Sequence, residues 1–144
     1  MLTMRLYCRE HKKFVDPKKG CNECRKAGRR LIGCEWRVEN CPLKDAQNMT
    51  EQYHYAKGGS NTAVYTHGLF YIATGELNGI AWWLPPTRVA AESVSSDWTR
   101  VLSLTRMVII PSTPKNGASF LLSKSVRMIH LDGRFHTLVR YADE

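Results

Sequence analysis

The chain has 144 residues, 43% of them hydrophobic and 24% charged, which is ordinary for one folded soluble domain with a small appendage. No apolar run is long enough to cross a membrane, and the first residues, MLTMRLYCREHKK, are too highly charged for a signal peptide. We therefore expect a cytoplasmic protein without a membrane partner.

The net charge of +8 is unevenly distributed along the chain. Residues 1–50 contain 12 Lys and Arg against six Asp and Glu, whereas residues 51–144 contain nine against seven. A basic N-terminal third is typical of a protein that binds nucleic acid or another polyanion. A well-solvated surface without a partner has the same composition, so charge alone leaves both interpretations open.

The N-terminal region is also rich in cysteine, because all five cysteines of the chain precede residue 42. An odd number of cysteines in a cytoplasmic protein argues against a disulfide framework. The spacings Cys8-x2-His11 and Cys21-x2-Cys24 are typical of metal ligands, since a tight turn directs both side chains of a pair toward one ion. The predicted ligands of a structural zinc ion are Cys8, His11, Cys21 and Cys24.

Residues 1–45 are accordingly predicted to form a basic, zinc-ribbon or knuckle-like module that is too small to fold around a core of its own. Its Lys and Arg side chains could contact phosphates. The alternative is that the cysteines are simply buried thiols. Cys34 and Cys41 could replace one ligand pair or bind a second ion.

Residues 51–144 are predicted to form an α/β domain that follows a boundary near residues 42–51. A helical or irregular turn begins at Thr50. The β-branched and aromatic run AVYTHGLFYIAT then predicts a strand, Asn78-Gly79 a hairpin turn, and IAWWLPP the returning strand.

The remaining elements complete a mixed sheet. Residues 87–98 are predicted to be a helix, VLSLTRMVIIP a buried strand, residues 118–129 a helix with one apolar face, and HTLVRYAD a last strand. The last two strands can pair in parallel through the crossover helix between them.

The segment PSTPKNGAS joins the buried strand to the crossover helix. A loop of small residues at a helix N-terminus presents backbone N–H groups that suit an anion, and often a phosphate. The predicted anion- or cofactor-binding residues are Lys115, Asn116, Gly117, Ala118 and Ser119.

Two further features of the strands bear on function. Arg106 lies inside an otherwise apolar strand, where an unpaired charge is costly, so we expect an anionic partner such as Asp143 or a ligand, unless the side chain faces solvent. Trp82 and Trp83 should place one indole on each face of the sheet. One of them could stack on an extruded base, although core or interface packing is the more ordinary role.

The strand, loop and helix around residue 115 resemble the GNAT acyltransferase fold, whose loop binds the coenzyme A pyrophosphate and whose next strand splays away from its neighbour. The fuller pattern resembles the phage Mom family of DNA-modification proteins over about residues 51–144. The segments that carry this resemblance are QYHYAKGGSN, GIAWWLPPT, VLSLTRMVIIPSTPKNGASFLLSKSVRMI and RFHTLVRYADE.

The resemblance implies a GNAT-like mixed sheet flanked by helices, with the C-terminal part of that fold missing because the family continues beyond the equivalent of Glu144. It implies an enzyme that converts adenine in phage DNA to an N6-acetamido (carbamoylmethyl) form, which blocks host restriction. The target base would be flipped out of the duplex or met single-stranded. The implied catalytic residues are His54, Tyr55, Arg106 and Asp143.

The resemblance also implies a bound iron, for which the side chains of His54, Tyr55 and Asp143 are suitable ligands. The donor would be acetyl-CoA or a glycine-derived group. Two alternatives stay open from the sequence. The first is a CoA-dependent N-acetyltransferase that acts on a protein or small amine, and the second is a non-enzymatic, zinc-dependent protein that binds DNA or a host partner.

Overall fold

The computed structural model describes residues 6–8, 12–15, 29–54 and 61–140. Near the N-terminus, strands β1 (Leu6–Cys8) and β2 (Lys13–Val15) form a small antiparallel hairpin. The rest of the described chain forms a five-stranded sheet with helices packed on both faces. The predicted mixed α/β architecture is therefore confirmed.

The five strands of the main sheet lie side by side in chain order. They are β3 (Trp36–Asn40), β4 (Tyr65–Tyr71), β5 (Leu77–Leu84), β6 (Val101–Ile109) and β7 (Thr137–Val139). Neighbouring strands are antiparallel except for β6 and β7, which pair in parallel, as predicted. The sheet thus begins at β3, before the boundary predicted near residues 42–51. The division into a module over residues 1–45 and a domain over residues 51–144 stays a prediction.

Helix α1 (Leu43–Tyr53) covers one face of the sheet, and helix α3 (Gly117–Asp132) covers the other. A short helix α2 (Arg88–Glu92) and a 3-10 turn (Trp98–Arg100) connect β5 to β6, where a single helix over residues 87–98 was predicted. Thr87 starts α2 by accepting a hydrogen bond from the N–H of Ala90. Serines and an aspartate follow α2, and such residues favour turns over helix.

Each face of the sheet has its own apolar cluster. On the α1 face, Ile80, Trp82 and Val108 pack against residues of the helix and its flank. On the α3 face, Trp83 packs with Leu121 and other buried residues. The two tryptophans face opposite sides, as predicted, but both are almost fully buried, so neither can stack on an extruded base. No helix in the described part of the chain is long and apolar enough to span a membrane.

The predicted hairpin turn at Asn78-Gly79 is wrong, because both residues lie inside β5. The turn between β4 and β5 comes earlier, where Gly75 adopts a left-handed φ of 72°. Asn78 is only 1% exposed, and its backbone carbonyl accepts a hydrogen bond of 3.0 Å from the N–H of Ile110. A side chain at Gly79 would collide with Ile109 at 2.6 Å, so this glycine serves close packing and not a turn.

Candidate functional site

The loop between β6 and α3 was predicted to bind an anion, and its shape is set by buried neighbours. Thr113 is buried and hydrogen-bonded to Asn78. A β-carbon at Gly117 would approach the Thr113 methyl group to 2.6 Å, so the first turn of α3 needs glycine there. Asn116, at the N-cap, has a left-handed φ of 69°, a conformation that asparagine tolerates better than most residues.

Part of the predicted anion-binding backbone is already occupied within the protein. The N–H of Lys115 donates to the carbonyl of Arg29 at 2.8 Å, and the N–H of Gly117 donates to the carbonyl of Pro114 at 3.2 Å. The second and third residues of α3, Ala118 and Ser119, are exposed, and a helix provides no acceptor for its first N–H groups. These two N–H groups are therefore the donors that the loop offers to an anion.

A basic segment from the N-terminal region lies against this loop. Arg30 and Lys115 form a parallel bridge, and the N–H of Leu31 donates to the Lys115 carbonyl at 2.9 Å. The side chains of Arg30 and Lys115 are both exposed, while Arg29 forms an ion pair with Glu35 at 3.0 Å. Arg30 is thus a candidate site residue that the sequence analysis missed, because 85 positions of chain separate it from the loop.

Arg106 lies on the α1 face of the sheet because of a bulge in β6. Trp82 pairs with Arg106 while the next residue, Trp83, pairs with Leu104, so Thr105 is an extra residue that reverses the alternation. Arg106 is half-buried, and its Nη1 donates to the carbonyl of Thr105 at 2.9 Å. Its Nε is buried and has no hydrogen-bond partner among the described residues. The expected anionic partner, Asp143, lies outside those residues.

The first three residues of β6 pair with all three residues of β7. The register joins Val101–Ser103 of β6 to Thr137–Val139 of β7, and Arg140 is no longer in a strand. In the described part of the chain, the β6 edge from Leu104 to Ile109 therefore has no strand beside it. Beyond Ser103, β6 runs past Arg106 toward the loop before α3.

His54 ends helix α1, where its N–H donates to the carbonyl of Thr50 at 3.0 Å. Helix α1 covers the face of the sheet to which Arg106 belongs. Tyr55 and Asp143, the other two predicted catalytic residues, lie outside the described residues. The predicted convergence of His54, Tyr55 and Asp143 therefore stays a prediction.

The predicted zinc ligands fall largely outside the described residues. Cys8 ends β1 opposite Lys13, but nothing is described for His11, Cys21 or Cys24. Over residues 6–8, 12–15, 29–54 and 61–140, no group of three or more His, Cys, Asp or Glu side chains could hold a metal ion.

The two remaining cysteines differ in environment. Cys34 is exposed, whereas Cys41 is buried beside the sheet. Burial raises the pKa of the Cys41 thiol to about 11, so this thiol stays protonated at neutral pH, unlike a metal-binding thiolate. Cys41 is a core residue, and its predicted role in replacing one ligand pair or binding a second ion stays a prediction.

A buried polar cluster under α3 was not foreseen. The indole N–H of Trp83 donates to Oγ of Ser125 at 2.8 Å, and the same oxygen lies 2.5 Å from Nδ1 of His67. Burial lowers the pKa of His67 to about 4, so the imidazole is neutral and its Nδ1 can accept a hydrogen bond from the Ser125 hydroxyl. All three side chains are at most 2% exposed, so the cluster supports the helix and is not accessible to a substrate.

The C-terminal end of α3 is held by an exposed polar cluster. The hydroxyl of Tyr65 donates to the carboxylate of Asp132, which also accepts from Nε of Arg134 at 2.8 Å. These hydrogen bonds lower the pKa of Asp132. The guanidinium of Arg134 lies over the Tyr65 ring, 5.2 Å from its centroid, so the cluster ties α3 to β4.

A pocket of about 480 Å³ lies at the end of the sheet opposite to the loop before α3, beside the first residues of β6 and β7. Arg100, His130 and His136 contribute to its walls, and Phe135 and Leu138 contribute apolar surface. It is separated from the loop before α3 by the length of β6, so it belongs to a different part of the surface.

The comparison with protein families agrees with the extent of the sheet. The model of the Mom protein family matches residues 35–144, which is more than half of the chain. No curated protein matches the chain. The family match begins one residue before β3 and includes the whole five-stranded sheet, so the chain belongs to the Mom protein family.

Proposed function

We propose that this protein is a DNA-modification enzyme that converts adenine in phage DNA to its N6-acetamido (carbamoylmethyl) form and so protects the DNA from host restriction. Membership of the Mom family supports DNA modification as the general role. The observation that carries the specific proposal is Arg106 on the α1 face of the sheet, whose buried Nε has no partner among the described residues.

The topology supports a GNAT-like arrangement of this site. The resemblance implies a strand, a loop that opens a helix, and a following strand, and β6, the loop before α3, α3 and the parallel strand β7 occur in that order. In that arrangement a donor molecule would lie along the open edge of β6. Its anionic end would meet the N–H groups of Ala118 and Ser119, with Arg30 and Lys115 nearby.

The chemistry requires activation of the donor or the base, because the lone pair of the adenine N6 is delocalised into the ring. With a glycine-derived donor, N6 bonds to the methylene carbon and gives up one proton, and the donor's amino group leaves with the electron pair and takes up that proton as ammonia. The guanidinium of Arg106 is suited to bind a carboxylate, or developing negative charge, on the molecule that donates the transferred group. A buried N–H group without a partner stabilises an anion strongly.

An iron bound by His54, Tyr55 and Asp143 is part of the proposal. Imidazole, phenol and carboxylate form a donor set that suits iron, and His54 ends the helix that covers the Arg106 face. The metal would supply activation of the donor carbon. A structural zinc on Cys8, His11, Cys21 and Cys24 is proposed separately, and Cys8 lies in the hairpin strand β1.

Analysis of nucleosides from cells that express the protein tests the proposal. We expect modified deoxyadenosine from DNA of cells with the wild-type protein, and its loss with Arg106→Gln, His54→Ala or Asp143→Asn. Arg88→Gln is the matched control, because Arg88 is an exposed arginine whose partners among the described residues are Glu92 on α2 and the Trp98 ring. Unmodified DNA in cells that contain folded wild-type protein would overturn the proposal.

A CoA-dependent N-acetyltransferase is the second candidate, and the exposed first turn of α3 at Ala118 and Ser119 favours it, because helix N–H groups suit the CoA pyrophosphate. In that case the wild-type protein binds acetyl-CoA, acetylates a protein or small amine, and leaves nucleosides unchanged. A non-enzymatic DNA-binding protein would shift DNA in a salt-dependent manner and fail both assays.

A further inference from the structure

The hairpin of β1 and β2 has an aromatic face that is open to solvent. Tyr7 and Phe14 are direct cross-strand partners, with ring centroids 5.1 Å apart and planes inclined by 62°. Their side chains are 48% and 64% exposed, whereas Lys13 and Val15, which alternate with Phe14 on β2, are half-buried. Side chains alternate along a strand, so the aromatic pair defines the outer face of the hairpin.

This hairpin lies in the part of the chain that carries almost all of the net charge. Residues 1–34, which precede the family match, contain ten Lys and Arg against three Asp and Glu, a net charge of +7. Residues 35–144 contain 11 against ten, a net charge of only +1. Residues 35–144 therefore attract a polyanion only weakly, and residues 1–34 supply most of the electrostatic attraction.

The charged region is also joined to the candidate site. The bridge between Arg30 and Lys115 fixes the end of residues 1–34 against the loop before α3. A polyanion that contacts Arg30 would thus lie close to the site.

We propose that the Tyr7–Phe14 face binds unpaired bases of single-stranded DNA by stacking, with Lys12 at the adjacent turn contacting the phosphate backbone. The choice of DNA rests on the proposed function. Exposed aromatic rings beside positive charge are the combination that single-stranded nucleic acid requires, because every base has a stacking face and every nucleotide a phosphate. A duplex hides its base faces and would use only the charge.

Fluorescence anisotropy with the full-length protein and a labelled oligodeoxynucleotide tests this inference. We expect Phe14→Leu and Tyr7→Leu each to weaken single-strand binding about 5- to 100-fold, the range that one base–aromatic stack supplies. These variants keep apolar volume but remove the ring face. Phe14→Tyr and Tyr7→Phe should bind as the wild type does, and Val89→Ala is the control for loss of an exposed apolar side chain elsewhere.

The salt dependence separates stacking from charge. The leucine variants should keep the wild-type slope of log affinity against log salt, whereas Lys12→Gln should reduce that slope by about 0.7. Equal affinity of the leucine variants and the wild type would overturn the inference. So would an equal loss of binding to a duplex, or tighter binding to a protein partner than to the oligonucleotide.

The outcome can be distinguished from that of the proposed function. Nucleoside analysis reports modification, while anisotropy reports binding. If the leucine variants lose single-strand binding and wild-type cells contain no modified base, the stacking surface stands and the modification proposal fails. If modified base is present and the leucine variants bind normally, the modification proposal stands and the stacking surface fails.

Discussion

The backbone N–H of Lys115 donates a 2.8 Å hydrogen bond to the carbonyl of Arg29, which lies six residues before the family-matched domain. The loop at the start of α3 is therefore fixed from two directions. The buried contact between Asn78 and Thr113 holds it to the sheet, and the segment around Arg29 holds it from outside. A basic segment that is not part of the family match thus lies against the proposed anion site.

The positive side chains beside this loop should contribute to anion affinity. We expect Lys115→Gln and Arg30→Gln each to weaken binding of coenzyme A about fivefold, since a unit charge near 4 Å in water contributes about 1 kcal/mol. Isothermal titration calorimetry measures this, and Lys44→Gln, an exposed change on α1, is the control. If Lys115→Gln and Lys44→Gln bind alike, the loop is not the anion site.

Replacing Gly117 by alanine should destabilise the protein. Alanine favours a helix over glycine by about 1 kcal/mol, but the new methyl group would lie 2.6 Å from the buried Thr113 side chain. Overpacking of that kind costs about 1–3 kcal/mol, so we expect a net loss in the free energy of unfolding. Urea denaturation would show it. Ser119→Ala, in the exposed part of the same turn, should change stability by less than about 0.5 kcal/mol, and an increase in stability for Gly117→Ala would contradict the close packing.

The cluster under α3 should be sensitive to loss of its hydroxyl group. Ser125→Ala removes the acceptor for the Trp83 indole and the partner of His67, and each buried group left unpaired costs about 1–3 kcal/mol. Ser123→Ala is a matched control on the exposed side of the same helix and should be nearly neutral. Thermal and urea unfolding compare the two variants, and equal stabilities would refute the role assigned to Ser125.

His67 should make stability depend on pH. Its pKa is about 4 in the folded state and about 6.5 when unfolded, so the unfolded state binds the proton first as the pH falls. The free energy of unfolding should therefore be at its plateau above about pH 6.5 and fall by about 3 kcal/mol between pH 6.5 and 4.

The variant His67→Gln tests that assignment, because glutamine can still bond to Ser125 but does not titrate. Urea denaturation at several pH values should show a much smaller change between pH 6.5 and 4 for this variant. His130→Gln, an exposed histidine on the same helix as Ser125, should keep the wild-type dependence. A wild-type pH dependence in His67→Gln would show that other groups are responsible.

The elements that could be predicted from the sequence are those with a long, regular pattern. Strand β6 and helix α3 each carry an apolar periodicity over many residues, and the parallel pairing of β6 with β7 follows from the crossover between them. Helix α1 begins at Leu43 directly after Pro42, several residues before the turn predicted at Thr50. Pro42 directly before the helix and the acidic Asp45 in its first turn are both typical of a helix N-terminus, so they could have predicted this start.

The misplaced features depend on contacts between distant parts of the chain. Asn78-Gly79 has the composition of a turn, but burial of Asn78 against the loop at Thr113 overrides that preference. His67 and Ser125 are 58 residues apart, so only the packing of α3 on the sheet brings them together. In the candidate site, Arg106 and the loop were predicted, while the bridge from Arg30 has no local signature.

The unaccompanied edge of β6 has a consequence for handling the protein. From Leu104 to Ile109, no described strand covers β6, so this edge presents backbone donors and acceptors beside side chains that are apolar except for Thr105 and Arg106. Such an edge accepts an extended segment of any other polypeptide, which is a common origin of aggregation. A small molecule bound along this edge would shield it, so storage with such a ligand should extend the soluble lifetime of concentrated samples.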